Sequence, residues 1–261
     1  MRFSANISML FKERPLIERF AAARAAGFGA VEIQFPYDTP LGDLVAARRE
    51  AGIAVDLINL PAGDFATGVR GIAALPDPRR ASEFRDAVAE GRDYLVALGA
   101  RKTNVLAGLL PTDAPRADCM RHFAENLRFA ADALNPHGIR VLVEAINPFD
   151  VPGFMVNRTG EALAVVEAAA AGSARDIAVQ ADLYHMARQN EDAGPALKRL
   201  GARLGHIQFA DVPGRGEPGS GTLDWRVQFG AVEDAGYTSF VSAEYNPTRR
   251  TEDTLAWMRR A

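Results

Sequence analysis

The chain has 261 residues, a formal net charge of −3 and 48% hydrophobic residues, a composition typical of a globular protein with one sizeable core. The slightly acidic balance disfavours a dedicated nucleic-acid binder, and the single cysteine, Cys119, excludes an intrachain disulfide framework and a cysteine-based metal site. The N-terminal residues lack the apolar core of a signal peptide, and no apolar run reaches the roughly 18 residues of a membrane span. We therefore expect a soluble, cytoplasmic protein with no membrane partner.

Short apolar or alternating segments, each bounded by turn residues, predict eight strands. In chain order these predicted strands cover residues 3–9, 30–35, 53–59, 102–106, 139–146, 177–183, 204–210 and 240–244. Each is followed by a helical pattern, over residues 16–26, 41–51, 79–98, 115–134, 159–171, 191–200, 225–235 and 251–260. Pro15 precedes the first helix, Gly27 ends it, and Thr159 is a suitable N-cap for the fifth. Residues 60–78, rich in Gly and Pro, form a long predicted loop.

The strict alternation of strand and helix predicts a parallel sheet with helical crossovers. Eight such units in about 250 residues is the size of a closed (β/α)8 TIM barrel. We therefore predict one barrel domain over residues 1–261. A doubly wound open sheet is the alternative, because hydrophobic periodicity does not determine whether the sheet closes.

The seventh strand and the loop after it, residues 205–221, carry an unusual density of polar groups. Within the strand, Ile207 and Phe209 alternate with His206 and Gln208, so the apolar and polar residues face opposite sides. A buried polar group is costly unless it is bound by a partner. Gln208 therefore needs a metal ion or a polar ligand.

Other strands also carry polar residues near the carboxyl end, where the active sites of TIM barrels lie. In strand order they are Asn6; Glu32 and Gln34; Asn59; Asn104; Glu144 and Asn147; Asp182 and His185; Gln208 and Asp211; Glu244 and Asn246. Four consecutive strands carry a carboxylate or an amide near this end: Glu144, Asp182, Gln208 and Glu244. Four oxygen ligands suit a hard cation such as Mg²⁺ or Mn²⁺. The alternative is that each side chain makes a local salt bridge or fills a layer of the barrel.

Four segments resemble the hydroxypyruvate isomerase family of the xylose-isomerase-like TIM barrels, which also includes 2-oxo-tetronate isomerases, sugar 3-epimerases and endonuclease IV-type enzymes. They are VEAINPFDVPGF (143–154), QADLYHM (180–186), HIQFADVPGRGEPGSG (206–221) and AEYNP (243–247). The resemblance covers the whole chain from FSANISMLF (3–11) onward. Ala145 departs from the proline that is common in this family, but it removes no ligand.

The resemblance implies that Glu144, Asp182, Gln208 and Glu244 bind one divalent metal, and that Glu144 and Glu244 are the acid/base pair. It also implies no organic cofactor and a hydrogen bond from His185 to the substrate. We expect Arg215 to bind the substrate's carboxylate. For Glu217, Asn6 and Asn104 we expect supporting positions, in the lid loop or around the site.

Residues 214–219 match the dinucleotide-binding pattern GxGxxG, but Pro218 lies inside the motif and prevents the required helix. We interpret the loop instead as a lid over the metal site.

The predicted reaction is isomerisation of a small 2-oxo hydroxy acid through an enediolate, by metal-assisted proton transfer. Its substrate would be hydroxypyruvate, giving tartronate semialdehyde, or a four-carbon 2-oxo-tetronate. The alternatives are a ketose 3-epimerase, a metal-dependent endonuclease-like phosphodiesterase and a binding barrel without activity. The choice between Mg²⁺ and Mn²⁺, the division of labour between the two glutamates and the oligomeric state are left open.

Overall fold

The computed structural model describes residues 1–259. Its strands are β1 (Arg2–Asn6), β2 (Ala30–Ile33), β3 (Ala54–Asn59), β4 (Lys102–Asn104), β5 (Arg140–Glu144), β6 (Ile177–Asp182), β7 (Leu204–Phe209) and β8 (Phe240–Ala243). Its α-helices are α1 (Leu16–Ala25), α2 (Leu41–Ala51), α3 (Pro78–Leu98), α4 (Arg116–Leu134), α5 (Thr159–Ala170), α6 (Leu183–Arg188), α7 (Ala193–Leu200) and α8 (Trp225–Asp234). Short 3₁₀ segments cover Phe65–Thr67, Asn135–His137, Gly201–Arg203 and Thr251–Arg259.

The eight strands form a closed parallel barrel in sequence order, with β8 paired to β1. This closure confirms the predicted (β/α)8 architecture and excludes the open sheet. Every strand end that was predicted to carry a polar residue therefore lies on the same rim. None of the helices within residues 1–259 is long and apolar enough to cross a membrane.

Apart from shifts in the ends of strands and helices, three sequence predictions differ from the structure. The helix predicted at 191–200 is α7, and the predicted turn before it contains α6, which begins where Asp182 caps the backbone N–H of Tyr184 at 2.9 Å. Thr159 is the first residue of α5 and not its cap, because Glu161 accepts the N–H groups of the preceding turn and the Thr159 hydroxyl donates to Glu191. The last predicted helix is a 3₁₀ segment, and its predicted end at position 260 lies outside the described residues.

An aromatic cluster fills the space between the barrel and its outer layer. The ring of Phe209 lies 5.1 to 6.0 Å from those of Phe3, Phe229 and Trp257. Phe209 and Ile207 are fully buried on the outward face of β7, as the alternation of this strand predicted. The opposite face of β7 consequently directs Gln208 into the barrel.

Two β-bulges alter which residues face the barrel interior. The pairing of β2 with β3 skips Asp56, and the pairing of β6 with β7 skips Gly205. A bulge re-aims the side chains around it, and the Asp56 carboxylate accepts a hydrogen bond from Lys102 Nζ at 3.0 Å. A Cβ at position 205 would lie 2.6 Å from Ala178 Cβ, which cannot rotate away, so the second bulge favours glycine.

The Lys102–Asp56 pair is buried below the polar rim. Its ammonium also lies 3.2 Å from His206 Nδ1 and 3.0 Å from Ser239 Oγ. Each charge of such a pair is stable in the interior only because its partner and further hydrogen bonds replace water.

Substitution Lys102→Met should lower the free energy of unfolding by about 3–5 kcal/mol, because it leaves the Asp56 carboxylate buried without its cation. Urea denaturation measures this change. The matched control is Lys198→Met, which removes the partner of Asp234 in an ion pair whose two side chains are more than half exposed; it should cost about 1 kcal/mol or less. Equal losses in the two variants would contradict the role given to Lys102.

Candidate active site

The four predicted ligands lie at the carboxyl ends of four consecutive barrel strands. Glu144 ends β5, Asp182 ends β6, Gln208 lies near the end of β7, and Glu244 directly follows β8. All four side chains are buried. Closure of the barrel thus converts four strand ends into one polar site.

Arg215 joins two of these acidic residues. Its guanidinium Nη2 donates to Glu244 Oε2 at 2.6 Å and lies 3.5 Å from Asp182 Oδ2. The guanidinium also lies over the ring of Tyr184, with 5.0 Å between its Cζ and the ring centroid. Arg215 adopts a left-handed backbone conformation, φ 54°, and its carbonyl accepts the N–H of Asn246 at 2.7 Å. The loop after β7 therefore delivers a cation into the site.

His185 joins the other pair. Its Nε2 lies 3.8 Å from Glu144 Oε1 and 3.6 Å from Asp182 Oδ2. The short helix α6 places it there, because Asp182 caps this helix and His185 follows three residues later. The polar groups form a continuous path from Glu144 through His185, Asp182 and Arg215 to Glu244.

Two asparagines support the two glutamates. Asn104 Nδ2 donates to Glu144 Oε2 at 2.7 Å, and Asn6 Nδ2 donates to Glu244 Oε1 at 2.8 Å. Gln34 Nε2 also donates to Glu244 Oε1, at 3.0 Å. These amide donors hold each carboxylate in one orientation within the site.

The carboxyl groups of the site are strongly perturbed. Burial raises the pKa of Glu144 well above its usual range, and the nearby Glu244 and Asp182 raise it further. Burial also raises the pKa of Glu244 and takes the pKa of Asp182 to about 7. Burial and the cations Arg215 and Arg188 lower the pKa of His185 well below its usual value. Burial therefore disfavours the charged form of each of these groups.

The residues present fit a divalent cation. Glu144 and Asp182 each offer a carboxylate oxygen, and these two atoms lie within 4.8 Å of each other and of a ring nitrogen of His185. Asp182 Oδ2 is buried and accepts no hydrogen bond from any of the described residues 1–259. A bound cation would satisfy that oxygen and offset the excess of carboxylates.

Gln208 is placed differently from the other predicted ligands. Its carbonyl oxygen accepts a hydrogen bond from Gln180 Nε2 at 2.6 Å, while its own Nε2 donates to Glu32 and Glu244 at 3.0 and 3.2 Å. In this orientation the amide presents N–H groups to the carboxylates. Coordination of a metal by Gln208 would require its oxygen to turn toward Glu244.

Glu217 makes its hydrogen bonds with the segment after β8. It accepts hydrogen bonds from the backbone N–H and the hydroxyl of Thr248, at 3.1 and 2.6 Å, and thereby joins the loop after β7 to the segment after β8. Asp211 closes the base of the same loop by accepting from Gly219 N and Trp225 Nε1. No helix spans residues 214–219, which excludes the dinucleotide motif.

The sequence interpretation did not assign roles to several buried polar residues below the rim. Glu32 contacts His206 Nε2 and Gln208, and burial raises its pKa to about 7. On β6, Gln180 lies two residues before Asp182, and on β4, Lys102 lies two residues before Asn104. Strand periodicity therefore places the two residues of each strand on the same inward face. This spacing was the available signal for a second polar layer.

A family model described as xylose isomerase-like TIM barrel matches residues 20–261. A 2-oxo-tetronate isomerase of Cupriavidus necator is 40% identical over 258 residues, covering 99% of this chain and 97% of that protein. A hydroxypyruvate isomerase of Escherichia coli K12 is also 40% identical, covering 99% and 98%. A crystal structure described as AP endonuclease, family 2, from Brucella melitensis superimposes with a TM-score of 0.93 at 39% identity, covering 99% and 98%. The chain therefore belongs to the hydroxypyruvate isomerase family of enzymes within the xylose isomerase-like TIM barrels.

Proposed function

We propose that this enzyme isomerises a small 2-oxo hydroxy acid, hydroxypyruvate or a 2-oxo-tetronate, by moving a proton between adjacent carbons. The observation that carries the proposal is the pair of buried glutamates, Glu144 and Glu244, held by separate amide donors on either side of one site. The names of the relatives with 40% identity support the same substrate class.

The reaction would proceed in two balanced proton transfers. One glutamate removes the proton from C3, and the C–H electron pair forms the C2–C3 double bond of an enediolate. The other glutamate donates a proton to C2, the C3 oxygen becomes the carbonyl oxygen, and the C3 hydroxyl proton passes to the C2 oxygen. Burial raises the pKa of both glutamates, which makes each carboxylate a stronger base for taking up a proton.

Glu144, Asp182 and Glu244 would hold one divalent cation, Mg²⁺ or Mn²⁺, with Gln208 as a fourth ligand after rotation of its amide. When bound, the cation would supply positive charge beside the carbonyl and hydroxyl oxygens of the substrate. Asn6 and Asn104 each orient one of the two glutamates through a hydrogen bond. Burial raises the pKa of Glu144 and Asp182, and the neighbouring carboxylates raise it further. A bound cation would favour the charged form of both groups and so supports this assignment.

Arg215 would bind the carboxylate of the substrate. Its Nε is buried and has no hydrogen-bond acceptor among residues 1–259, so the guanidinium retains an unused donor. A planar guanidinium with a free donor matches a carboxylate better than the hydroxyl of a neutral sugar. This preference supports an acid substrate over a free ketose.

Substitution Arg215→Met should raise the KM for the acid substrate by about 10-fold or more, because a hydrogen bond to a charged group contributes about 1.5–3 kcal/mol. Steady-state kinetics at saturating metal measures this change. Arg188→Met is the matched control, since Arg188 lies 3.6 Å from Asp150 and contacts neither glutamate of the proposed pair. An unchanged KM for Arg215→Met would remove Arg215 from substrate binding.

The decisive experiment follows hydroxypyruvate and a 2-oxo-tetronate by ¹H NMR in D₂O, with protein treated with EDTA and then supplied with Mg²⁺ or Mn²⁺. We expect product formation that depends on the metal, with deuterium entering C2, and the faster substrate identifies the chain length. Absence of turnover of either acid would refute the proposal. Turnover of free ketoses would then indicate a 3-epimerase, and cleavage of a phosphodiester would indicate the endonuclease-like activity.

A further inference from the structure

Asn147, three residues beyond β5, is fully buried and organises the turn that follows it. Its side-chain carbonyl oxygen accepts the backbone N–H groups of Phe149 and Asp150 at 3.0 and 2.9 Å. Backbone N–H groups can only donate, so these two bonds determine which end of the Asn147 amide is oxygen. The NH₂ end must face the other way.

The NH₂ group of Asn147 meets the imidazole of His185. Its Nδ2 lies 2.6 Å from His185 Nδ1 and 3.1 Å from Asp150 Oδ2. The backbone N–H of Asn147 also points at His185 Nδ1, at 3.5 Å. Both groups are donors, so Nδ1 must accept through its lone pair and cannot carry a proton. The single proton of a neutral His185 must then be on Nε2.

From this geometry we infer that Asn147 is a positioning residue that holds His185 in the tautomer with Nε2 protonated. The Nε2–H then points toward Glu144 and Asp182, where the proposed substrate would lie. His185 is thereby a hydrogen-bond donor to a substrate oxygen. Because Nε2 carries the proton, it cannot coordinate the metal, although it lies 3.8 Å from Glu144 Oε1 and 3.6 Å from Asp182 Oδ2. The part concerning substrate rests on the proposed function; the tautomer does not.

The first test measures the tautomer directly. Protein labelled with ¹⁵N-histidine is examined by long-range ¹H–¹⁵N NMR, with EDTA and with Mg²⁺, and the His185 signals are assigned from their loss in His185→Gln. We expect an unprotonated Nδ1 and a protonated Nε2 in both samples. A proton on Nδ1, or an Nε2 without a proton when Mg²⁺ is bound, would overturn the inference whatever the activity of the enzyme.

The second test exchanges the amide and the carboxylate of the turn. The double variant Asn147→Asp/Asp150→Asn preserves net charge and still offers an oxygen to the two backbone N–H groups, but it faces Nδ1 with an acceptor. We expect the His185 proton to move to Nδ1 and kcat to fall by about 10- to 100-fold, as when a supporting contact of an active-site histidine is lost. Asp150→Asn alone retains the Asn147 amide and should keep the Nε2–H tautomer.

The two measurements separate this inference from the proposed function. A double variant with the tautomer and kcat of the unmodified enzyme would refute the role of Asn147. If neither acid is turned over by the unmodified enzyme, the proposed function fails, while the ¹⁵N spectra still decide the tautomer. If Asp150→Asn has a higher kcat than the double variant, the additional loss of kcat comes from the contact between Asn147 and His185 Nδ1. Equal losses of kcat in the two variants would contradict the role given to Asn147.

Discussion

Glu144→Gln and Glu244→Gln should each lower kcat for isomerisation by about 10²- to 10⁴-fold, the usual contribution of a general acid or base. Glutamine preserves the size of the side chain and an oxygen for the Asn104 or Asn6 donor, but it cannot accept and return a proton. The two variants should therefore fold normally. Glu167→Gln, at an exposed position on α5, is the matched control and should retain full activity.

Proton exchange in D₂O distinguishes the roles of the two glutamates. The variant that lacks the group acting at C2 should still exchange the C3 hydrogen of the substrate for deuterium without forming product. The variant that lacks the group acting at C3 should do neither. If both variants isomerise hydroxypyruvate and 2-oxo-tetronate at the unmodified rate, the acid/base pair has been wrongly assigned.

Removal of divalent cations should abolish activity, and Mg²⁺ or Mn²⁺ should restore it. The same cations should stabilise the fold, because they bind a native site that the unfolded chain lacks. At a metal concentration 100 times Kd this linkage is worth about 2.7 kcal/mol. Thermal unfolding with EDTA and with added metal measures it, and an unchanged Tm at millimolar metal would argue against the site.

Asp182→Asn tests where the metal binds. The substitution removes one charge from a group of buried carboxylates, so the EDTA-treated variant should be at least as stable as the unmodified protein without metal. The stabilisation by metal and the activity should both fall sharply, because Asp182 Oδ2, which accepts no hydrogen bond from residues 1–259, is lost as a ligand. Asp234→Asn, on the surface, should change neither. Full retention of the metal-induced Tm shift in Asp182→Asn would place the cation elsewhere.

Much of the candidate site could be predicted from the sequence, because the inward or outward direction of a strand residue depends on the few residues around it. The twofold alternation in β7 placed Gln208 opposite Phe209, and the structure confirms that placement. Polar residues at the ends of apolar strands could be identified one strand at a time. Their convergence follows once the barrel closes, since parallel strands end at one rim.

Several contacts depended on tertiary structure because their partners are far apart in the chain. Asn6 and Glu244 are 238 positions apart, and only the pairing of β8 with β1 brings them together. Glu217 is held by Thr248, 31 residues later, so its partner could not be inferred from its place two residues after Arg215. Local patterns contain no information about such pairs.

The sequence by itself determined the alternation of strands and helices, the family, and the positions of Glu144, Asp182, Gln208 and Glu244 at the ends of consecutive strands. Tertiary structure alone decided that the sheet closes and that bulges at Asp56 and Gly205 change which residues face inward. It also decided the orientation of the amides, including that of Asn147. The physical reason is that hydrophobic periodicity and turn chemistry act over a few residues, whereas register, closure and hydrogen-bond direction depend on which distant groups compete for each donor and acceptor.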